Sequence, residues 1–245
     1  ISAEDHATGL ASSLANLAPY VEGGTDAAVT GINLTDAGLG KIQTLADGTV
    51  TFGGTSQTGD ITFTTATPAT TAGAAIVATQ AVAGGGKIVL DDDAAGTGAT
   101  ALAGGSSTIS LTAGTGGITA ASANNTFAEI GTTGATVTLN TTGAIGTSAN
   151  RIQFADNANT AQQRVVVGST DQASSVYLDG LGEITVAAIT GNVANTVVNA
   201  TARGDLNVDG TITTNTGTIV LGADRTAADA DGDATGTLNL TANAS

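Results

Sequence analysis

The chain has no cysteine, no methionine and no tryptophan, only two prolines, and six basic residues among 245. Without cysteine there can be no disulfide framework and no thiolate metal site. Six bases against 21 acids leave a net charge of −15, which would repel the phosphates of a nucleic acid, so no nucleic-acid partner is expected. Four Phe and two Tyr are too few to fill a conventional globular core. A lone histidine and so few bases also leave little of the varied polar chemistry that enzymes draw on, and the expectation is a protein without catalytic residues. No apolar run approaches the roughly 18 residues of a bilayer-spanning helix. Ile1 to Leu10 carry no basic stretch followed by an apolar one, so no signal peptide is expected, and the missing initial Met suggests a piece of a larger exported chain.

What is present is small. The 46 Ala, 45 Thr and 35 Gly make up about half of the chain, without the Gly-X-Y period of collagen. One short pattern recurs through it: an aliphatic residue, a middle residue, then Leu, Val or Phe. It occurs at Val50/Phe52, Ile61/Phe63, Ile88/Leu90, Ile109/Leu111, Val137/Leu139, Ile152/Phe154, Val176/Leu178, Ile184/Val186, Leu206/Val208, Ile219/Leu221 and Leu238/Leu240. In eight of these eleven copies the middle residue is Thr, Ser, Gln or Asn, which is the period-2 alternation of a strand with one buried face.

The intervals between copies run from 8 to 28 residues, so a hexapeptide or nonapeptide solenoid is excluded. Turn signals fill the gaps, as at Gly84-Gly85-Gly86, Gly104-Gly105, Gly116-Gly117 and Asp209-Gly210. The pattern predicts an all-β fold, an irregular parallel β-helix (β-solenoid), with aliphatic pairs inside and Thr or Asn ladders outside. One pair per coil would give about ten coils and a rod on the order of 45–50 Å. A pair of antiparallel sandwiches is the rival all-β reading. Leu10, Leu14 and Leu17, with Glu4 and Asp5 upstream and Pro19 downstream, predict a short N-terminal helix or cap over residues 3–18. Two regions follow: a cap or docking segment, 1–30, and the β-solenoid, 31–245.

The runs Asn33-Leu-Thr-Asp-Ala-Gly-Leu-Gly-Lys-Ile-Gln43, Gly48-Thr-Val-Thr-Phe-Gly53 and Ile145-Gly-Thr-Ser-Ala-Asn-Arg-Ile-Gln-Phe154 carry a resemblance. With Gly217-Thr-Ile-Val-Leu221 and Gly236-Thr-Leu-Asn-Leu240, they resemble the repeats of large filamentous-haemagglutinin-like bacterial surface proteins, over residues 31 to 245. The resemblance implies a long β-helix, export across an outer membrane, an extracellular or cell-surface location, and a role in adhesion, a fibre or a biofilm matrix. It implies no catalytic residue. The expected partners are copies of itself end to end, neighbouring repeats of a larger chain, and surface glycans. The readings left open are a glycan- or ice-binding β-helix module and a polysaccharide-active β-helix enzyme.

Individual residues add little. Asp229, Asp231 and Asp233 alternate in a turn with Asp224 upstream, and converging carboxylates of this kind suit Ca²⁺. The EF-hand pattern fails, because Gly232 comes too early and Leu240 stands where a bidentate Glu belongs. A solvated acidic turn is the alternative. Asp91-Asp92-Asp93 is read as solvated, since adjacent side chains diverge in an extended chain. His6 is read as a solvated terminal side chain. Six Asn-x-Ser/Thr sequons, at Asn33, Asn124, Asn140, Asn199, Asn239 and Asn243, are expected by chance in so Thr-rich a chain. The pairs Thr49/Thr51, Thr62/Thr64, Thr136/Thr138 and Thr211/Thr213 are too unevenly spaced for one aligned ladder. The bases, Lys41, Lys87, Arg151, Arg164, Arg203 and Arg225, are scattered singly along the chain.

Overall fold

The structure, a computed structural model, describes residues 42, 44, 47–68, 74–92, 98–157, 162–168, 170–194, 196–224 and 236–241. The segment 1–30, with its expected helix, lies outside the described residues. Among the described residues there is no helix, and every strand pairing is parallel, so the fold is an all-β parallel solenoid and the sandwich reading is excluded.

Each circuit of the chain lays down two or three strands. The first holds β1 (Thr49–Gly53) and β2 (Ile61–Thr64). Then follow β3 (Ala75–Thr79), β4 (Lys87–Asp91) and β5 (Leu102–Gly105); β6 (Thr108–Thr112), β7 (Gly117–Ala120) and β8 (Ile130–Thr132); and β9 (Thr136–Asn140), β10 (Ala144–Ile145) and β11 (Ile152–Phe154). The later circuits are β12 (Gln163–Val167) with β13 (Ser175–Gly180), β14 (Ile184–Ala194) with β15 (Val197–Ala202), and β16 (Leu206–Val208), β17 (Ile212–Asn215) and β18 (Thr218–Gly222). A last strand, β19 (Leu238–Leu240), starts the next circuit.

Strands stack only on their counterparts one circuit away, which gives two sheets. One runs β1-β3-β6-β9-β12-β14-β16-β19, with β17 on β14. The other runs β2-β4-β7-β10-β13-β11-β8-β5, with β15 and β18 continuing from β13. That second order doubles back because β13 is long enough to meet two strands. Its Val176 pairs with Ile145 of β10, and its Leu178 with Ile152 of β11. Two short strands of the fourth circuit thus merge into one in the fifth.

Registration explains the composition. Val50, Ile76, Ile109, Val137, Val165, Val186, Val208 and Leu240 lie one above another in the first sheet. Ile61, Ile88, Ile118, Ile145, Val176, Val198 and Ile219 do the same in the second. A constant cross-section admits similar volumes at each rung, so aliphatics recur and aromatics are rare. Phe52 lies under the small Ala78, and packs edge-on against Phe63 with ring centroids 5.3 Å apart. Gln80 clasps the turns between circuits. Its Nε2 donates to the carbonyls of Gly59 at 2.6 Å and Lys87 at 3.2 Å, and its Oε1 accepts from Gly114 N at 3.3 Å.

Two expectations need correction. The pattern marks strands on two faces of a circuit, not one strand per coil. The circuit returns at intervals such as the 21 residues from Val165 to Val186 and the 33 from Ile76 to Ile109. Seven such steps give a described length of about 34 Å in place of ten coils. Nine of the eleven aliphatic pairs are buried, but Ile219/Leu221 and Leu238/Leu240 are not, with Ile219 at 42% and Leu240 at 66% exposure. They occupy the same ladder positions as the buried pairs. No described strand stacks beyond β17, β18 or β19, so one side of this coil meets solvent.

Candidate functional site

Alternation should send Gln153, Asp179 and Thr201 to the outer, solvated side of the second sheet, between inward neighbours such as Phe154 and Leu178. They are on that side, and in register, yet all three are buried. Residues 121–129, which connect β7 to β8, meet this row at Gln153. The backbone of Asn125 is matched to the Gln153 amide, with Asn125 N donating to Oε1 at 2.9 Å and Gln153 Nε2 donating to Asn125 O at 3.3 Å. Arg203 Nη2 donates to the same carbonyl at 2.6 Å. Arg151 N donates to Asn124 Oδ1 at 2.7 Å, and Asn124 N to the carbonyl of Ala149 at 3.1 Å. At the other end, Ser122 Oγ and Asn125 Nδ2 donate to the carboxylate of Asp92.

Three acidic side chains are buried in this region: Asp92 just after β4, Glu129 just before β8, and Asp179 on β13. Glu129 Oε2 accepts from Gln153 N at 2.6 Å. Burial pushes the Glu129 carboxyl up to about 8, with smaller upward contributions from the charges of Asp92 and Asp179, against the lowering effect of backbone hydrogen bonds. Asp179 accepts from Thr201 Oγ1 and from Gln153 Nε2. Arg151 runs along the stack, its Nη1 donating to Leu178 O at 3.2 Å and Asn199 Oδ1 at 3.1 Å, with its guanidinium 5.9 Å from the centre of the Tyr177 ring.

The sequence did not point to this row. Arg151 and Arg203, read as scattered singly, both bind the loop 121–129. The Asp91-Asp92-Asp93 run, read as solvated, contains the fully buried Asp92; Asp93 lies outside the described residues. Asp91 and Asp92 do diverge, since Asp91 ends β4 half-buried. The one available signal was polar residues, Gln153 and Asp179, inside strand motifs, and that signal also fits an ordinary exposed face.

Asp229, Asp231 and Asp233, the expected Ca²⁺ ligands, lie outside the described residues, as does His6. Among the described residues no three His, Cys, Asp or Glu side chains are grouped to hold a metal ion. Of the sequons, Asn140 is buried and Asn199 accepts from Arg151. The Thr pairs do not align: Thr49/Thr51 and Thr136/Thr138 share a sheet but are separated by β3 and β6, whereas Thr62/Thr64 lies on the other sheet. A second polar row crosses the outside of the first sheet. Gln162 Oε1 accepts from Thr185 Oγ1 at 2.8 Å and from Asn207 Nδ2 at 2.9 Å, and Asn207 Oδ1 accepts from Asn239 Nδ2 at 2.8 Å. No helix among the described residues is long and apolar enough to cross a membrane. No family model, curated protein or solved structure matches the chain.

Proposed function

We propose that this chain is a structural protein of the cell surface or extracellular space, a β-solenoid segment of the adhesin or fibre type that its repeats resemble, joined end to end to copies of itself or to neighbouring repeats of a larger chain. The observation that carries this reading is the state of the last coil. Of the five large apolar side chains exposed among the described residues, four belong to it: Ile219, Val220, Leu238 and Leu240. Beside them, no described strand pairs with β18 or β19 on the side away from β15 and β16. A further parallel coil would cover the inward-facing Ile219, Leu238 and Leu240 and pair the strand edges, as each coil does for the one before it.

The opposite end differs. Val50, Phe52, Ile61 and Phe63 of the first described coil are all buried, whereas Ile219, Val220, Leu238 and Leu240 are exposed. Sedimentation over a concentration series, with electron microscopy of the same samples, tests the self-associating form. Rods that lengthen with concentration are expected, and Ile219→Asp with Leu240→Asp should suppress them. A wild-type chain that stays a folded monomer throughout would overturn self-association. Imaging of native material then tests the remaining form, in which a longer rod would be built by one polypeptide.

A further inference from the structure

The loop 121–129 covers charge that a folded protein does not usually cover. We propose that residues 121–129 form a strap, closed over the second sheet while the Glu129 carboxyl keeps its proton and released as that carboxyl ionises. Three features of the geometry carry this. First, the strap is a separate layer. Its ends are tied into the ladders, Ala121 N donating to Leu90 O and the carbonyls of Ala128 and Glu129 accepting from Ala101 N and Leu102 N. Between them it is clasped to the sheet mainly through side chains, at Asn124 and Asn125 by Arg151, Gln153 and Arg203, and at Ser122 and Asn125 by Asp92. Second, Ala121, Ala123, Asn124 and Thr126 are exposed, and the apolar hold is confined to its last part, where Phe127 lies close over Gly98 and Ala128 is buried. Third, Glu129 sits at its hinge into β8 and is itself buried.

The charged groups around Glu129 come from each element that packs there. Asp92 follows β4 and Asp179 lies on β13, and both oppose a charge on Glu129. Arg151 precedes β11 and Arg203 follows β15, but their guanidinium groups are bound to Leu178 O, Asn199 and Asn125 O. β5, the neighbour of β8 on the other side, has no charged residue. An ionised Glu129 under the strap is thus a third negative charge in a dehydrated row. Opening the strap hydrates it.

The sign follows from linkage. The closed state binds the Glu129 proton more tightly than the open state, where the carboxyl is solvated and near its ordinary 4.5. The closed state therefore loses ground to the open one as pH rises from about 4.5 to about 8, by at most about tenfold per pH unit, and the change levels off above that.

Hydrogen exchange read by mass spectrometry from pH 5 to pH 9, corrected for the intrinsic pH dependence of exchange, tests the proposal. Amides of 121–129 are expected to lose protection toward pH 8 and then level off, while those of β6 hold theirs. In Glu129→Gln, which retains an oxygen to accept from Gln153 N, the strap should stay protected throughout. A wild-type strap whose corrected protection does not change with pH, or a Glu129→Gln strap that still loses it, would overturn the proposal. Should Glu129→Gln fail to fold, Asp179→Asn is read instead. Removing that opposing charge should bring the levelling-off to lower pH, and an unmoved profile counts against the strap.

Discussion

Asn239 donates its side-chain amide to the Oδ1 of Asn207, 2.8 Å away on the neighbouring coil. Asn207 in turn donates to Gln162, so it is the middle of a ladder and Asn239 is its last rung. Removing Asn207 breaks two bonds and removing Asn239 breaks one. Asn207→Ala is expected to cost about 2 kcal/mol and Asn239→Ala about 1 kcal/mol or less. Urea unfolding of the two variants checks the ratio, and equal losses would count against a continuous ladder.

Glu129 also makes global stability depend on pH. Its folded-state carboxyl titrates near 8 and its unfolded value is 4.5, so the folded state binds the extra proton between them. Stability should fall as pH rises through that window, by at most about 1.4 kcal/mol per pH unit. The difference between wild type and Glu129→Gln isolates this residue from the other acids. That difference should widen from pH 5 to pH 8 in chemical denaturation and then stay constant.

Two inward-facing ladder positions should differ widely in their response to truncation. Phe154 is fully buried against Ile130, and Phe154→Ala should cost about 3–5 kcal/mol by leaving a cavity in the stack. Leu240 fills an equivalent position but is 66% exposed, and Leu240→Ala should change the stability of the monomer by less than about 0.5 kcal/mol. Thermal melts of both variants at low protein concentration make the comparison.

Gly117 has φ +83, and a Cβ there would overlap the carbonyl oxygen of Ala144 on the next circuit. The obstacle is backbone, so no side-chain rotation relieves it. Gly117→Ala should cost about 2–3 kcal/mol, combining left-handed strain with a forced gap between β7 and β10. Gly85, where a Cβ meets nothing within 4 Å, is the control, and Gly85→Ala should be near neutral. Denaturant midpoints measured side by side check the difference.

A net charge of −15 repels itself within a narrow rod, so added salt should raise the melting temperature. Melts in Ca²⁺, in Mg²⁺ and in chelator at equal ionic strength separate screening from binding. A Ca²⁺ increment beyond Mg²⁺ that is lost in Asp231→Asn is expected if Asp229, Asp231 and Asp233 hold the ion. Equal melts in all three conditions would leave screening alone.

Much of the fold was legible because stacking repeats a single local rule. The alternation in Ile109-Ser-Leu111 or Val137-Thr-Leu139 reports burial directly, since a strand side chain has only two directions to point. Coil number was not legible. Ile61/Phe63 and Val50/Phe52 read alike in sequence, yet they lie on opposite sheets of one circuit. Ile76-Val-Ala78 and Ile118-Thr-Ala120 do not stand out in the sequence because Ala, which stacks beside Phe52 in the one and beside Leu90 in the other, is also the commonest residue of the chain.

The sequence by itself determined the class of object: no thiols, few aromatics, a strong excess of acids, and short alternating strands with one buried face. Those are properties of composition and period, which do not depend on which segments meet. The tertiary structure decided what lies over the outer faces. Gln153 and Asp179 alternate outward as expected, and nothing local distinguishes them from Thr138, which does the same. Asn125, from an earlier circuit, closes over Gln153, and Asp179 is held between Gln153 and Thr201 on the neighbouring strands. Burial of a polar group is a relation between distant segments, and so is the raised Glu129 carboxyl that follows from it. Likewise Ile219 and Leu240 carry the same pattern as Ile109 and Leu111, and they differ only in having no described coil beyond them.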